Sequence, residues 1–247
     1  MTVQVASCSA AQLFSGCLLP DHSPAVDAIV TSDGLTVAGE LTIPEYQRPY
    51  CWQDKQLHGL LLDIQSHAER NAEHDIRLPY YLGSLILHQG NGKLNIIDGQ
   101  QRITTLALVG CLLDTAHPLV AGLAYEHPTS QQQIKHNLKW LSDRLNWLRN
   151  LIDFSQLQFT LVITQSEDDA YRFFETQNTG GVRLKGPDII KAHHLRAVDK
   201  LHQPQFARQW EAMGKLDSTV SALLKGRFWQ GVNPRELPSH NQKKLIR

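Results

Sequence analysis

A chain of 247 residues that is 42% hydrophobic and 19% charged has the composition of a globular protein and enough length to bury a sizeable core. Its 24 Lys and Arg residues equal its 24 Asp and Glu residues, which excludes a uniformly basic surface for nucleic acid, so any DNA contact must come from a local patch. Apolar runs stay below the roughly 18 residues of a membrane span and no basic stretch opens the chain, so neither a span nor a signal peptide is expected.

The first 22 residues have mixed polarity and run into a loop bounded by Pro20 and Pro24. The sequence therefore predicts a short N-terminal segment, residues 1–22, ahead of a main domain at residues 23–200. Two β-rich runs, residues 26–30 and 35–43, open that domain and are separated by a Ser-Asp-Gly turn. The four cysteines are scattered without a C-x-x-C pair, which is typical of reduced thiols and indicates a cytoplasmic protein.

The next stretch, IPEYQRPYCW at residues 43–52, contains two prolines that exclude a regular helix and hold the chain extended. Such a stiff loop is suited to holding a flat ring or a phosphate. The alternative is that the aromatic side chains pack in the core, and this interpretation is favoured for Tyr50 and Trp52. A functional role is favoured for Gln47 and Arg48. The candidate binding residues of this loop are Tyr46, Gln47, Arg48 and Tyr50.

An amphipathic helix, a strand at residues 81–88 and a Gly-Asn-Gly hairpin turn lead to the central stretch, KLNIIDGQQRITTLAL. Its apolar run stops at Asp98-Gly99, and a helical pattern begins after Arg102. A strand, a glycine turn and a helix N-terminus offer free N–H groups to an anion. Asp98 could hold a metal ion, and Arg102 could pair with a phosphate. The alternative is a plain strand-to-helix turn in which Asp98 is a cap and the glutamines are solvated.

The second half of the chain is predicted to contain a helix at residues 130–152, a strand at 157–164 and two further helices. The first of these two ends at Asn178, before a Gly-Gly pair, and the second contains Lys191. On spacing alone both polar residues are more often structural than catalytic. Residues 201–247 are predicted to form a helical extension, which could be the start of a truncated C-terminal domain.

Five motifs occur in a fixed order: I-P-E-Y-Q-R-P-Y-x-W, Y-L-G-S-L-I-L, I-I-D-G-Q-Q-R-I-T-T-L, A-Y-R-F-F-E-T-Q-N-T-G-G-V-x-L and D-I-I-K-A-H. The set resembles the N-terminal domain of the GmrS/GmrD-type restriction proteins, which attack modified phage DNA, and it runs from about Leu35 to Leu195. The resemblance implies an α+β fold like that of ParB and sulfiredoxin, a small mixed sheet flanked by helices. It also implies nucleotide binding and hydrolysis that powers or licenses DNA cleavage.

Position by position, the resemblance assigns roles to the candidate residues. The expected cofactor is Mg²⁺ or another divalent metal bound with a nucleoside triphosphate, and Asp98 is its expected ligand. The DNA-contacting residues are expected in the proline-bounded loop, at Tyr46, Gln47, Arg48 and Tyr50. The catalytic residues implied are Asp98, Gln100, Gln101 and Arg102, and the nucleotide-binding residues are Gln47, Arg48, Gly99, Arg102, Asn178 and Lys191.

One departure from longer relatives concerns the nuclease. They carry a C-terminal HNH nuclease domain, whereas only six residues follow His240-Asn241 here and no such motif is present. A nuclease subunit or a missing C-terminal domain is therefore an expected partner, beside the nucleoside triphosphate and DNA. Two alternatives stay open, a non-catalytic module that binds DNA and senses its modification, and a ParB-like clamp switched by nucleotide. An oligomer is compatible with each.

Overall fold

The computed structural model describes residues 3–14, 28–113, 123, 125, 127–166, 168–170, 172–173, 186–214, 216, 218–220 and 222. The chain divides into two units, Met1–Val182 and Arg183–Arg247, so the division lies ahead of the boundary near residue 200 that the sequence suggested. No helix among the described residues is long and apolar enough to cross a membrane. The helices and strands are β1 (Val3–Ser9), α1 (Ala10–Phe14), β2 (Glu40–Thr42), α2 (Asp54–Glu73), β3 (Tyr80–Gly90), β4 (Lys93–Asp98), α3 (Gln100–Leu112), α4 (Pro128–Ser142), α5 (Leu145–Leu151), a 3-10 turn (Phe154–Gln156), β5 (Leu157–Thr164), α6 (Gly186–Arg196) and α7 (Gln203–Ala212).

The strands form one mixed sheet in the order β1-β5-β3-β4-β2. β1 is antiparallel to β5 and β3 is antiparallel to β4, while β3 with β5 and β2 with β4 are parallel. The predicted α+β class with a mixed sheet is confirmed. Alternate residues of β5 are buried against the core, and the residues between them are partly exposed, so the sheet has one packed face and one more open face. The buried set is Leu157, Phe159, Leu161 and Ile163.

The hairpin and the strand-to-helix junction form as predicted. β3 and β4 pair up to Gly90 and Lys93, next to the turn, and β4 runs to Asp98, one residue before α3 begins at Gln100. α3 is buried along most of its length, so it packs as a central element of the first unit. Apolar residues of β4 precede the junction and apolar residues of α3 follow it, and both sets are buried. The junction therefore lies where the strand pattern changes to the helix pattern.

Three expectations are corrected. Residues 3–14 are not a separate segment, because β1 pairs with β5 along its whole length and Leu13 and Phe14 of α1 are buried. The runs at 26–30 and 35–43 give, among described residues, only an isolated bridge between Val30 and Thr36 and the short β2. The predicted helix at 130–152 is two helices. The chain breaks there at Arg144, whose guanidinium lies 3.9 Å from the centre of the Trp140 ring and donates to the Trp140 carbonyl.

Candidate functional site

The two glutamines of the D-G-Q-Q-R segment hold the proline-bounded loop in place. Gln100 Nε2 donates to the Arg48 carbonyl at 3.0 Å. Gln101 Oε1 accepts from the backbone N–H groups of Cys51, at 2.9 Å, and Trp52, at 3.2 Å. Both amides are buried. The glutamines, predicted to be catalytic, are thus engaged with the backbone of residues 48–52, and this contact fixes the position of Arg48 relative to α3.

Gln47 makes the reverse contact from the loop to the sheet. Its side chain is buried, and its Nε2 donates to the carbonyls of Ile96, at 3.0 Å, and Ile97, at 2.7 Å, near the end of β4. The loop and the D-G-Q-Q-R segment therefore hold each other through buried amides on both sides. Since unsatisfied buried amides are costly, this arrangement fixes the loop strongly. Tyr46 and Arg48, on either side of Gln47, are both partly exposed.

Tyr50 is fully buried rather than displayed, with 0% of its surface exposed. Its hydroxyl lies 2.8 Å from Thr105 Oγ1 and accepts from Asn137 Nδ2 at 2.9 Å, while its backbone N–H donates to Ser130 Oγ at 2.9 Å. Burial raises the pKa of the Tyr50 phenol. Tyr50 is a packing residue that joins the loop to α3 and α4, so in this structure it is not a surface available to DNA.

Replacing Tyr50 by Phe is expected to lower the free energy of unfolding by about 1–3 kcal/mol, because Asn137 and Thr105 lose a buried partner. Urea unfolding followed by circular dichroism measures the change. Tyr81→Phe is the matched control, since that tyrosine is exposed, and it should shift the stability by less than about 0.5 kcal/mol. Equal effects of the two substitutions would contradict the role of the buried hydroxyl.

Arg102 connects the junction to a bulge in β3. Its Nη1 donates to the Leu82 carbonyl at 2.6 Å, its Nη2 donates to the Ser84 carbonyl at 2.7 Å, and Nη2 lies 3.4 Å from Asp98 Oδ2. The pairing of β3 with β5 shifts just before Gly83, which has a positive φ of 98°. A Cβ at Gly83 would collide with Arg102 Nη1. Only glycine therefore allows the bulge and the guanidinium to approach each other.

Gly99 leaves the start of α3 without a side-chain cap. It is the N-cap of α3, with φ of 95° and no side chain to occupy the helix end. Its own N–H acts to lower the pKa of the neighbouring Asp98 carboxyl, which burial raises. Among the described residues, none accepts a hydrogen bond from the N–H groups of Gln100, Gln101 or Arg102. A helix start with N–H groups of this kind favours a negatively charged ligand.

The charges around the junction are one carboxylate and two guanidinium groups. Burial raises the pKa of Asp98, while Arg102, the Gly99 N–H and Arg48 each act to lower it. Its side chain is 29% exposed, and that of Arg102 is 22% exposed, so solvent and ligands can reach both. Within the described parts of the chain, no carboxylate lies within ion-pair distance of Arg48. The junction is thus locally positive, and Arg48 has donors to offer a phosphate.

The motif order and this geometry agree with a comparison against protein families. The family model of the N-terminal domain of the GmrSD restriction endonucleases matches residues 31–195. The chain belongs to this family. No curated protein matches the chain. The matched range includes the sheet from β2 to β5, the proline-bounded loop and the Asp98–Arg102 junction, which confirms the resemblance and places the chain in a restriction system.

The metal expected in this GmrSD domain would have one candidate protein ligand at the junction, Asp98. The described residues contain no group of three or more His, Cys, Asp and Glu side chains that could hold a metal ion. Asp98 is the one carboxylate described at the junction, and Mg²⁺ is commonly held by one or two carboxylates together with substrate phosphates and water. The residues therefore fit a metal that arrives with a phosphate ligand, rather than a resident metal held by protein alone.

Two of the predicted nucleotide-binding residues of the GmrSD domain are not among the described residues of the first unit. Asn178 is outside the described residues. Lys191 belongs to the second unit, where its buried Nζ lies 2.7 Å from Glu211 Oε1 and joins α6 to α7. This ion pair gives Lys191 a structural role, which is the interpretation that its spacing in the sequence favoured. Its role in nucleotide binding stays a prediction.

Sequence reasoning missed the contribution of the bulge. The glycine of Y-L-G-S lies inside a strand pattern, which is a signal of a bulge or of a close backbone approach. That signal was available at Gly83. Its partner, Arg102, lies in α3, which follows β3 only after β4, so the contact between the two residues had no local signal. Asn137, which binds both the Tyr50 hydroxyl and the Trp52 carbonyl, carried no comparable signal.

Proposed function

We propose that this GmrSD domain binds a nucleoside triphosphate at the Asp98–Arg102 junction and hydrolyses it to control DNA cleavage by a nuclease. The observation that carries the proposal is the glycine-capped start of α3. Its first N–H groups have no described acceptor, and Arg48 and Asp98 stand beside it. A triphosphate supplies the negative charge that such a site stabilises.

The contacts divide the roles among the residues. The α3 N–H groups and Arg48 would bind phosphate oxygens, since both offer donors to an anion. Asp98 would hold Mg²⁺, which when bound neutralises phosphate charge, and would orient the attacking water. Arg102 would position Asp98, because two of its nitrogens already donate to the β3 carbonyls. Gln100 and Gln101 would act through the loop that presents Arg48.

The test is phosphate release from ATP and from GTP with Mg²⁺, with and without plain or modified phage DNA. Asp98→Asn is expected to reduce turnover by about 10- to 100-fold while leaving the fold intact, because it removes the charge with little change of shape. Asp54→Asn is the matched control. Asp54 is a half-exposed carboxylate at the start of α2 that pairs with His136, and removal of its charge should leave turnover unchanged. Turnover that survives Asp98→Asn would overturn the assignment.

The pH dependence provides a second readout on the same residue. Asp98 must be ionised to hold a metal or orient water, and its pKa is raised by burial. The kcat/KM of the wild-type protein should therefore fall, as the pH decreases, at a higher pH than the ordinary aspartate range of about 4. The acidic limb should be absent from the residual activity of Asp98→Asn.

One observation favours a second candidate, a module that binds DNA and senses its modification. The three buried glutamines are engaged with backbone, so the D-G-Q-Q-R segment could serve as the scaffold of a loop that presents Tyr46 and Arg48. In that case DNA affinity would fall steeply with salt and Arg48→Ala would weaken it, with no nucleotide bound at any salt concentration. Nucleotide binding that is lost in Arg48→Ala favours the first candidate instead.

A further inference from the structure

An exposed tyrosine lies on the open face of the sheet, next to the junction. Tyr81 is 57% exposed, and its hydroxyl lies 3.3 Å from Ser84 Oγ and 3.3 Å from Thr160 Oγ1. Along a regular strand, residues three apart point to opposite faces, but the bulge before Gly83 brings Tyr81 and Ser84 to the same face. The ring is therefore held at its hydroxyl end, while much of its surface stays in contact with solvent.

Ser84 connects this ring to the proposed phosphate site. Its hydroxyl meets Tyr81, and its carbonyl accepts from Arg102, which in turn lies beside Asp98. Ile86, two residues further along β3, pairs with Asp98 across the ladder. Two residues of strand rise and one strand spacing together place Ser84 roughly 8 Å from Asp98. That separation is comparable with the distance from the terminal phosphate of a nucleotide to its ribose.

The faces of the Tyr81 ring are not covered by another described aromatic ring. Within the described residues, aromatic contacts occur at several positions, including Tyr50 with Tyr125 and His67 with Tyr80, but none involves the Tyr81 ring. A flat exposed ring with restricted rotation binds another flat ring with little loss of conformational freedom. The hydrogen bonds with Ser84 and Thr160 lower the pKa of the Tyr81 phenol most, and the nearby Arg102 guanidinium adds to this effect, so Arg102 supplies a cation near the ring.

We propose that Tyr81 is the surface on which the nucleobase of the bound nucleotide stacks. This rests on the proposed function, because the phosphates of the same ligand are assigned to the Asp98–Arg102 junction. Stacking alone reads the size of the π system and not its hydrogen-bonding edge, so the site accepts adenine and guanine nucleotides alike and binds them more tightly than pyrimidine nucleotides.

The experiment compares ATP with inorganic tripolyphosphate, which has the charge of the nucleotide and no base. Both are titrated with Mg²⁺ into wild-type protein, Tyr81→Ala and Tyr81→Phe by calorimetry. Tyr81→Ala should weaken ATP binding by about 5- to 150-fold, the range expected for loss of one base stack, and leave tripolyphosphate binding unchanged. Tyr81→Phe keeps the ring and should bind ATP within about threefold of wild type. Melting curves of the variants confirm that each is folded.

The outcomes separate the two proposals. If ATP and tripolyphosphate both bind the wild-type protein and Tyr81→Ala weakens them equally or not at all, the stacking role is overturned while the phosphate site stands. If neither ligand binds the wild-type protein, the proposed function itself fails. If Tyr81→Ala lowers DNA affinity and leaves ATP affinity unchanged, the ring serves a base of DNA, and the nucleotide assignment of Tyr81 is overturned.

Discussion

Replacing Arg102 by Ala is expected to lower the free energy of unfolding by about 2–4 kcal/mol, because hydrogen bonds from a charged group to two backbone carbonyls are lost. The carbonyls of Leu82 and Ser84 bond to this guanidinium at the bulge. The partial exposure of the side chain, 22%, lets water replace some of the loss. For a chain of this size the change corresponds to a decrease in Tm of roughly 4–16 °C. Differential scanning calorimetry measures it directly.

Two variants make the Arg102 prediction specific. Arg102→Lys keeps the charge but has a single ammonium group in place of the planar fork, so it should recover only part of the lost stability. Arg77→Ala removes an exposed arginine from the loop before β3 and should change the Tm by less than about 2 °C. An Arg102→Ala protein that melts like wild type would show that the guanidinium does not support the bulge. Its direct binding to phosphate would then be the better explanation of its position.

Gly99→Ala is expected to be at least as damaging, with a loss of about 2–5 kcal/mol. Two costs add at this position. An L-residue with a left-handed backbone costs about 1–2 kcal/mol, and Gly99 has φ of 95°. A Cβ there would also collide with Leu85 Cδ2, whose residue is fully buried in β3, and overpacking of a core typically costs about 1–3 kcal/mol.

Gly34→Ala separates these two costs. Gly34 has φ of 84°, and a Cβ at that position would meet nothing within 4 Å. It should therefore show only the backbone cost of about 1–2 kcal/mol. Chemical denaturation of both variants gives the difference, which reports the contact with Leu85 alone. Equal losses of unfolding free energy in Gly99→Ala and Gly34→Ala would mean that Leu85 accommodates a Cβ at position 99. The close approach of Leu85 would then not be the reason for a glycine there.

The parts of the fold that sequence reasoning predicted well depend on signals a few residues apart. The hairpin turn at residues 90–92, the end of β4 at Asp98 and the start of α3 each follow from a local pattern of glycine and apolar residues. The same holds for β5, predicted at residues 157–164 and observed there. The match of the family model then confirmed what the order of the motifs had suggested.

The parts that sequence reasoning could not predict depend on contacts between distant residues. The bonds from Gln47 to the end of β4 and from Gln101 to the loop each span about 50 positions. Gln47 lies between two prolines, which is typical of a binding residue. Nothing in the neighbouring sequence indicates that its side-chain amide donates to the Ile96 and Ile97 carbonyls. β1 was missed for the same reason, because its partner strand, β5, begins only at Leu157.

The pairing of β1 with β5 has a kinetic consequence. The hairpin, the bulge and α3 lie in one continuous stretch, residues 80–112, and contacts of this kind form early because little chain must be ordered to make them. The β1–β5 ladder, in contrast, joins the first strand to the last strand of the sheet and closes nearly the whole first unit into a loop. During synthesis β1 must wait unpaired until β5 has left the ribosome, so β1 is the strand most in need of protection from association with other chains.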